Sequence, residues 1–398
     1  MALGQHPMSV PAQWDRRGLP GWTYHSPALL ELETAHIFRR HWQIAGHASN
    51  IPHAGDYLTL DAFGERALIV RGQDGAVRAM RNMCRHRGSR VVADDHGHCR
   101  GALVCPFHGW VYNLDGSLRG AARPTSFPPL DKTEFGLTPL QCEIWHGLIF
   151  VRFEPGPQPA VADLLARFDA EIALYQFDGM QPVSPPWQQV SEVNWKSVRD
   201  VDNEGYHVAM SHPALQDLYG STYSDGPFVN GLSRSFATTN AKAGRRWSVR
   251  NYVKLVPKPT RLPAALQEAW IYFGLFPNTV IAVTPVSMQF YQEFPVTTGR
   301  TVLRGAVYAY PNETRAERLS RYLAMRIDRE TQAEDVQLTI WSNEAHKSAA
   351  FKGFYLSDLE YGVRTHHDHL RALLPVMTLE QAPSEAGMAA ANASASPR

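Results

Sequence analysis

The chain has 398 residues, enough for two or three domains with sizeable cores. Its 39 basic and 38 acidic side chains nearly cancel, which excludes the strongly basic surface that nucleic acid or an anionic membrane calls for. Met1 to Trp22 has no apolar run of signal-peptide type, and Pro277 and Pro285 interrupt the best apolar stretch, so a soluble, cytoplasmic protein is expected.

Residues 1 to 25 carry several Pro and Gly and read as an arm. Ser26-Pro27 then offers an N-cap with Pro at the first helical position. Leu30, Thr34, Ile37, Phe38 and Trp42 recur at helical spacing, which predicts a helix over 27–43. From Gly55 the period falls to two. Tyr57 to Leu60 and Ala67 to Val70 are predicted strands, and Asp74-Gly75 predicts a hairpin turn before Val77 to Met80.

The next stretch carries chemistry. Cys84-Arg85-His86-Arg87-Gly88 and Cys105-Pro106-Phe107-His108-Gly109 present C-x-H and C-x-x-H, with eighteen residues between His86 and Cys105. A structural zinc site is one reading, since two Cys and two His form a common zinc ligand set. The other is a Rieske [2Fe–2S] cluster, in which two Cys hold one iron and two His the other. Zinc modules usually pair like with like along the chain, whereas here each loop offers one thiolate and one imidazole. The pattern resembles the Rieske family, with Asp94, Asp95 and His96 as an extra loop in a slightly long spacer. The ligands are then Cys84, His86, Cys105 and His108. Cys99 and Cys142 remain, and so few Cys suit a reducing compartment, although a disulfide between these two stays open.

A second turn is predicted at Asp115-Gly116 and another strand over Gly147 to Phe153. Pro155, Pro157 and Pro159 then read as a linker. Beyond it, Ala160 to Tyr175 is a predicted helix and another starts after Asn194. Trp270 to Leu275 and Val302 to Tyr310 are predicted strands. Thr314-x-x-Glu317 forms a capping box ahead of the helical face of Leu319, Tyr322, Leu323 and Ile327. Gln381 to Arg398 is mostly small residues with no aromatics, so a disordered tail is expected.

Glu204-Gly205-Tyr206-His207, with His212 five residues on, is the second informative stretch. On a regular helix that spacing turns the two His about 140° apart, so they converge on one ion only if the helix breaks near His212, as Pro213 permits. Two unrelated histidines in a polar loop are the plainer reading. Asn194-Trp195-Lys196, Glu204-Gly205-Tyr206-His207 and His212, together with the Cys/His motif, resemble the ring-hydroxylating, Rieske-type non-haem iron oxygenases, from about Leu19 to Leu374. The tail of this region, Gly353 through Glu360, Gly362 and His367, looks most like the carnitine and glycine-betaine oxygenases.

The resemblance implies an α+β chain: an antiparallel β Rieske domain over 45–155 and a catalytic domain over 160–380. Residues 1–44 would be an arm and a helix packed on the catalytic domain. That domain would have a central antiparallel sheet under covering helices, of helix-grip or START-like type. It implies mononuclear Fe(II) held by His207, His212 and an acid from the start of a late helix, Asp335 with Glu334 as the alternative, in the facial triad that leaves positions open for oxygen. Glu204 becomes the catalytic carboxylate that bridges cluster ligand His108 to iron ligand His207. Gly205 stands where Cys or Ala is commoner. The implied function is O2- and NAD(P)H-dependent hydroxylation or oxidative demethylation of a small molecule, a methylated ammonium compound being one class. No dinucleotide-binding G-x-G-x-x-G follows a strand, so a separate reductase, with or without a ferredoxin, is expected, as is a homotrimer. Hydroxylation of an aromatic acid is the alternative within the class; an electron carrier with a ligand-binding domain and a zinc-stabilised binding protein are alternatives outside it.

Overall fold

A computed structural model describes residues 10–395, and its contacts divide the chain into two units. One runs from Phe38 to Pro182; the other joins the segment up to Ile37 to everything from Val183 onward. Each mixes helices with antiparallel strands, giving the expected α+β class. Among the described residues no helix is long and apolar enough to cross a membrane, and all four Cys are free, Cys99 and Cys142 included.

Helix α1 (Pro27–His36) belongs to the second unit, and Ser26 caps it by accepting from the backbone N–H of Leu29. It stops at His36 rather than residue 43, because the chain turns through Phe38–Arg40 and commits Gln43–His47 to a sheet of the first unit.

The first unit holds β1 (Gln43–His47), β2 (Asp56–Ala62), β3 (Glu65–Arg71), β4 (Val77–Arg81), β5 (His96–His98), β6 (Leu103–Val104), β7 (Val111–Tyr112), β8 (Leu118–Gly120), β9 (Pro139–Trp145) and β10 (Leu148–Arg152). Helices α2 (Val161–Leu164) and α3 (Ala166–Ile172) and the two-residue strand β11 (Gln181–Pro182) close it. A seven-stranded sheet runs β1-β10-β9-β4-β3-β2-β5, and β6-β7-β8 make a smaller one. Both Asp-Gly pairs turn as expected: Gly72 N–H meets the Ala76 carbonyl at 2.8 Å and Asn113 N–H meets that of Ser117 at 2.9 Å. His96, expected in a loop, instead opens β5 opposite Leu58 of β2.

The domain boundary is corrected. The proline run is held inside the first unit, since Gln158 accepts from Trp42 N–H at 2.8 Å, the Pro159 carbonyl takes the Trp42 indole at 2.9 Å, and Arg152 donates to the Gln158 carbonyl at 2.7 Å. The Glu143 carboxylate on β9 then accepts the Val161 N–H at 2.6 Å, drawing α2 onto the sheet. A segment tied by that many hydrogen bonds is not a linker, and the boundary moves from residues 155–160 to Val183.

In the second unit, β12 (Trp187–Ser191), β13 (Leu232–Thr238), β14 (Ala269–Leu275), β15 (Thr279–Thr284), β16 (Ser287–Thr297) and β17 (Arg300–Ala309) pair antiparallel in the order β12-β17-β16-β15-β14-β13. The helices are α4 (Trp195–Asp202), α5 (Val208–Ser211), α6 (Pro213–Tyr219), α7 (Trp247–Leu255), α8 (Arg315–Ala345), α9 (Tyr361–Leu373) and α10 (Met388–Ser394). Asn194 caps α4 by accepting from Lys196 N–H, and Thr314 with Glu317 closes the expected capping box on α8. The first half of α8 is fixed by Leu323, Ala324 and Ile327, which pack with Leu215, Leu218, Val249 and Trp270 from α6, α7 and β14. Near its other end, Asn343 accepts from the Asn194 N–H at 3.1 Å and the Ser197 hydroxyl at 3.0 Å.

Helix α1 is locked in by a buried ion pair between Glu33 and Lys196, with the Trp195 indole on the second carboxylate oxygen at 2.8 Å. Removing one partner of such a pair costs about 3–5 kcal/mol, because the other charge is left buried. The expectation of a disordered tail over 381–398 is also corrected. Glu385 accepts from the Ser26 hydroxyl at 2.9 Å and the Ala28 N–H at 2.7 Å, and Met388 of α10 is buried. Small residues here form a short helix anchored through Met388, with most of its remaining side chains exposed. Residues 1–9 of the predicted arm and 396–398 of the tail lie outside the described residues.

Candidate metal centres

The first unit presents two loops of matching backbone geometry. In each, the Cys N–H donates to a carbonyl five residues on, Cys84 to Ser89 at 2.7 Å and Cys105 to Trp110 at 2.8 Å. In each, the Gly four residues after the Cys returns its N–H to the Cys carbonyl, at 2.9 Å from Gly88 and 3.0 Å from Gly109. Both Gly have φ near +70°, a conformation an L-residue resists, so the loop closes there only with Gly. The thiols of Cys84 and Cys105 are buried and within mutual reach, while His86 and His108 are half-buried with ring centroids 4.5 Å apart. Trp110 stacks on His86 at 5.2 Å, and the His86 Nδ1 is buried without a hydrogen-bond partner. Tyr112 places its hydroxyl 3.1 Å from Cys84 Sγ. Burial pushes the Cys84 thiol up, and burial with the neighbouring His86 and Arg87 charges pushes His108 down.

These four side chains suit two metals rather than one. A single zinc would need all four ligand atoms within roughly 4 Å of one another. Among the described residues only His207, His212 and Asp335 bring three such atoms within 4.8 Å.

That trio forms the second centre. The run after α4 is broken twice: α5 is a single turn, His207 precedes it, and His212 (φ −120°, ψ 80°) ends it before Pro213 opens α6. The break removes the 140° divergence, and the two Nε2 atoms stand 3.0 Å apart. From across the cavity α8 supplies Asp335, whose Oδ1 is 2.9 Å from His212 Nε2 and 3.6 Å from His207 Nε2. The acid pair lies in the interior of α8, not at the start of a helix as expected.

Each ring is also gripped from behind. The Glu204 carboxylate meets His207 Nδ1 and accepts the backbone N–H groups of Tyr206 and His207. The Glu334 carboxylate lies 2.9 Å from His212 Nδ1. Carboxylates on both Nδ1 atoms fix the tautomer with the proton there, leaving both Nε2 lone pairs aimed at Asp335 Oδ1. Three lone-pair donors in contact need a cation or protons between them, and N···N and N···O spacings of 2.9–3.0 Å suit adjacent ligands about 2.1 Å from one ion. Without an ion, protons take that place. Burial disfavours charge on His207, but Glu204, Asp335 and Asp225 outweigh it and raise its pKa; for His212, Asp335 and Glu334 do the same against burial.

The sequence reading anticipated His207, His212, Asp335 and Glu204, and the fold brings them together. It offered Glu334 as a ligand, whereas the structure turns this side chain to the back of His212. It missed Asp225, which accepts from Gly205 N–H at 2.7 Å and from the hydroxyls of Tyr223 and Ser235, and which burial pushes up to about 6. The same loop explains Gly205: a Cβ there would stand 2.0 Å from the Tyr223 ring. A cavity of about 190 Å³ opens beside the trio, and α8 turns Asp328, Thr331, Gln332, Asp335, Val336 and Thr339 towards it. That three-and-four spacing was present in the sequence but had no known cavity to face.

Comparison with known proteins gives the context. Residues 41–132 match the family described as the Rieske [2Fe-2S] domain, and residues 180–375 match the ring hydroxylating alpha subunit catalytic domain. These two matches imply a Rieske cluster and a mononuclear iron. Glycine betaine monooxygenase oxygenase subunit of Pseudomonas aeruginosa (strain UCBPP-PA14) is 36% identical over 197 residues, covering 50% of this chain and 45% of that relative. Its counterpart for carnitine in Escherichia coli (strain K12) is 26% identical over 340 residues, 84% of this chain and 86% of the relative. In fold, the chain resembles a quaternary ammonium Rieske monooxygenase (TM-score 0.75, 23% identity, 92% of this chain and 96% of that one). It also resembles naphthalene 1,2-dioxygenase from Rhodococcus sp. (TM-score 0.73, 18% identity, 89% and 94%).

Two outcomes are expected of the second centre. Glu334→Gln keeps a ferrous site but weakens it about 10–100-fold, whereas Asp335→Ala abolishes it, with the visible spectrum of the cluster unchanged in both. Equilibrium ferrous titration separates the roles, and equal losses in the two variants would count against assigning only Asp335 as ligand. In iron-free protein the raised pKa of His207 and His212 makes their contribution to stability complete below about 6.5 and lost as pH climbs through the folded values. Denaturation midpoints across pH, with and without ferrous iron, measure this; the alkaline loss should vanish once iron replaces the protons.

Proposed function

Since the chain belongs to the ring-hydroxylating Rieske oxygenase alpha subunits, we propose that it is the oxygenase component of a multicomponent system that hydroxylates or oxidatively demethylates a methylated ammonium compound. The observation that carries this reading is the convergence of His207 Nε2, His212 Nε2 and Asp335 Oδ1 on the wall of one cavity. Cys84, Cys105, His86 and His108 would hold the cluster, and the trio the iron. With both bound, the cluster passes single electrons and the ferrous ion activates O2 beside a substrate C–H bond.

The chain's own residues prepare that chemistry. Glu204 and Glu334 hold the imidazoles in one tautomer, Asp225 clamps the Gly205 loop, and α8 carries Asp335 on a helix pinned at both ends. Hydroxylation of an N-methyl carbon yields a carbinol that collapses to the amine and formaldehyde, so demethylation needs no further catalyst. Electrons come from a separate NAD(P)H-dependent reductase, with or without a ferredoxin, in the cytoplasm. The working assembly is a head-to-tail homotrimer in which Glu204 joins His207 to His108 of a neighbouring copy. Glu204 Oε2 already accepts two backbone N–H groups and Oε1 meets His207 Nδ1 alone, so Oε1 keeps a further lone pair for that link.

The class is tested by reconstituting the protein with iron and a surrogate reductase and screening methylated amines and aromatic acids. Preparations should hold about three irons per chain and release formaldehyde with NADH consumption on a methylated amine. Two irons after ferrous loading, with no turnover, would leave an electron carrier instead.

The assembly is tested by mixing Cys84→Ser chains with His207→Ala chains, each inactive alone. Equal mixing makes about three-quarters of trimers mixed, each with one intact cluster-to-iron junction of three, so roughly a quarter of wild-type activity should return. No recovery in trimers shown by mass to be mixed would exclude transfer between copies.

A further inference from the structure

The cavity beside the trio is lined by more acids than bases: Asp202, Glu204, Glu293, Asp328 and Asp335 against Arg199 and the two histidines. Asp328 stands seven residues before Asp335 on α8, hence on the same face and about 10.5 Å along the axis. It is half-buried in the wall, and among the described residues its carboxylate takes one hydrogen bond, from the Gln289 amide at 2.9 Å. No Lys, Arg or His pairs with it among the described residues, and burial pushes its carboxyl up to about 7. Tyr219 and Tyr272 line the same cavity with their hydroxyls meeting at 2.9 Å, and the Asp328 charge bears on both phenols and on that of Tyr252. A half-buried carboxylate without a cationic partner, on a wall that also carries aromatic rings, suits an organic cation, because the rings attract it and the carboxylate neutralises it.

The rest of the described lining gives an anion no cation that is free of carboxylates. Apart from His207 and His212, the one basic residue on the described wall is Arg199. Its guanidinium is already committed, to Asp202 through Nη2 and to Glu293 through Nη1 at 3.3 Å. A substrate carboxylate would have to enter as a third anion on that guanidinium, in a low-dielectric pocket that also holds Glu204.

We propose that the substrate is a net cation, a methylated amine or ammonium that lacks a carboxylate, with its nitrogen held between Asp328 and the rings of Tyr219 and Tyr272. Asp328 is then the residue that sets specificity, and a methyl carbon of the ligand points along α8 towards Asp335. This rests on the oxygenase reading above and departs from it in one respect: the betaines named for the similar proteins carry a carboxylate, and this cavity has no free cation to receive one.

The test is calorimetric titration of iron-loaded full-length protein with tetramethylammonium, glycine betaine and acetate, beside formaldehyde release from trimethylamine and from glycine betaine. Tetramethylammonium should bind and acetate should not, and trimethylamine should be the better substrate. Asp328→Asn, which keeps size and an acceptor for Gln289, should weaken tetramethylammonium on the order of tenfold to a hundredfold while iron content and cluster spectrum stay unchanged. Tighter binding and faster turnover of glycine betaine would overturn this proposal while upholding the demethylase reading. Tight cation binding that is lost in Asp328→Asn, with no formaldehyde from any amine, would uphold the cation site and overturn demethylation. Wild-type tetramethylammonium affinity in a folded Asp328→Asn variant would remove Asp328 from recognition.

Discussion

Two imidazole lone pairs and a carboxylate oxygen aimed at one point repel one another, and the second unit is built to hold them there. The histidines come from a helix broken at His212, the carboxylate from a helix that runs on unbroken. Keeping them within 2.9–3.6 Å requires a frame on both sides. Leu323, Ala324 and Ile327 press one half of α8 into the core, and Asn343 ties the other half to the start of α4. Glu204 and Glu334 then stop either ring from rotating its lone pair away. Fully satisfied polar groups behind the donors, and deliberately unsatisfied ones in front, are what make a metal site attractive to an ion before it arrives.

The first unit solves a related problem with backbone rather than side chains. Its two loops share the same pair of hydrogen bonds although the His lies two residues after one Cys and three after the other. The difference in spacing is absorbed by side-chain direction while the main chain repeats. Tyr112 adds a hydroxyl against Cys84 Sγ, and hydrogen bonds to ligand sulfur are among the levers that set a cluster's potential.

How much of this was legible in the sequence depended on distance along the chain. The Cys/His loops, the Asp-Gly turns and the capping box on α8 are local patterns, and each stands where the residues placed it. Pro213 signalled the break that lets His207 and His212 converge. Glu334 and Asp335 could not be told apart, because neighbours on a helix diverge by about 100° and only the packing of α8 decides which one faces inward. Three prolines suggested a linker, yet Trp42 and Arg152, remote in sequence, hold that segment down. The tail was misread for the same reason: its partner, the start of α1, lies at the opposite end of the chain.

That last contact has a consequence for how the protein is made. The second unit is discontinuous in sequence, with the whole of Phe38–Pro182 translated between its two parts. A ribosome releases Glu33 163 residues before Lys196 and the cap on Ala28 357 residues before Glu385. The intervening unit has its own sheet and core and is complete on the nascent chain while α1 waits with an unmatched carboxylate. Closure of the second unit therefore waits until α10 has emerged, and until then the buried face of α1 stays exposed to water.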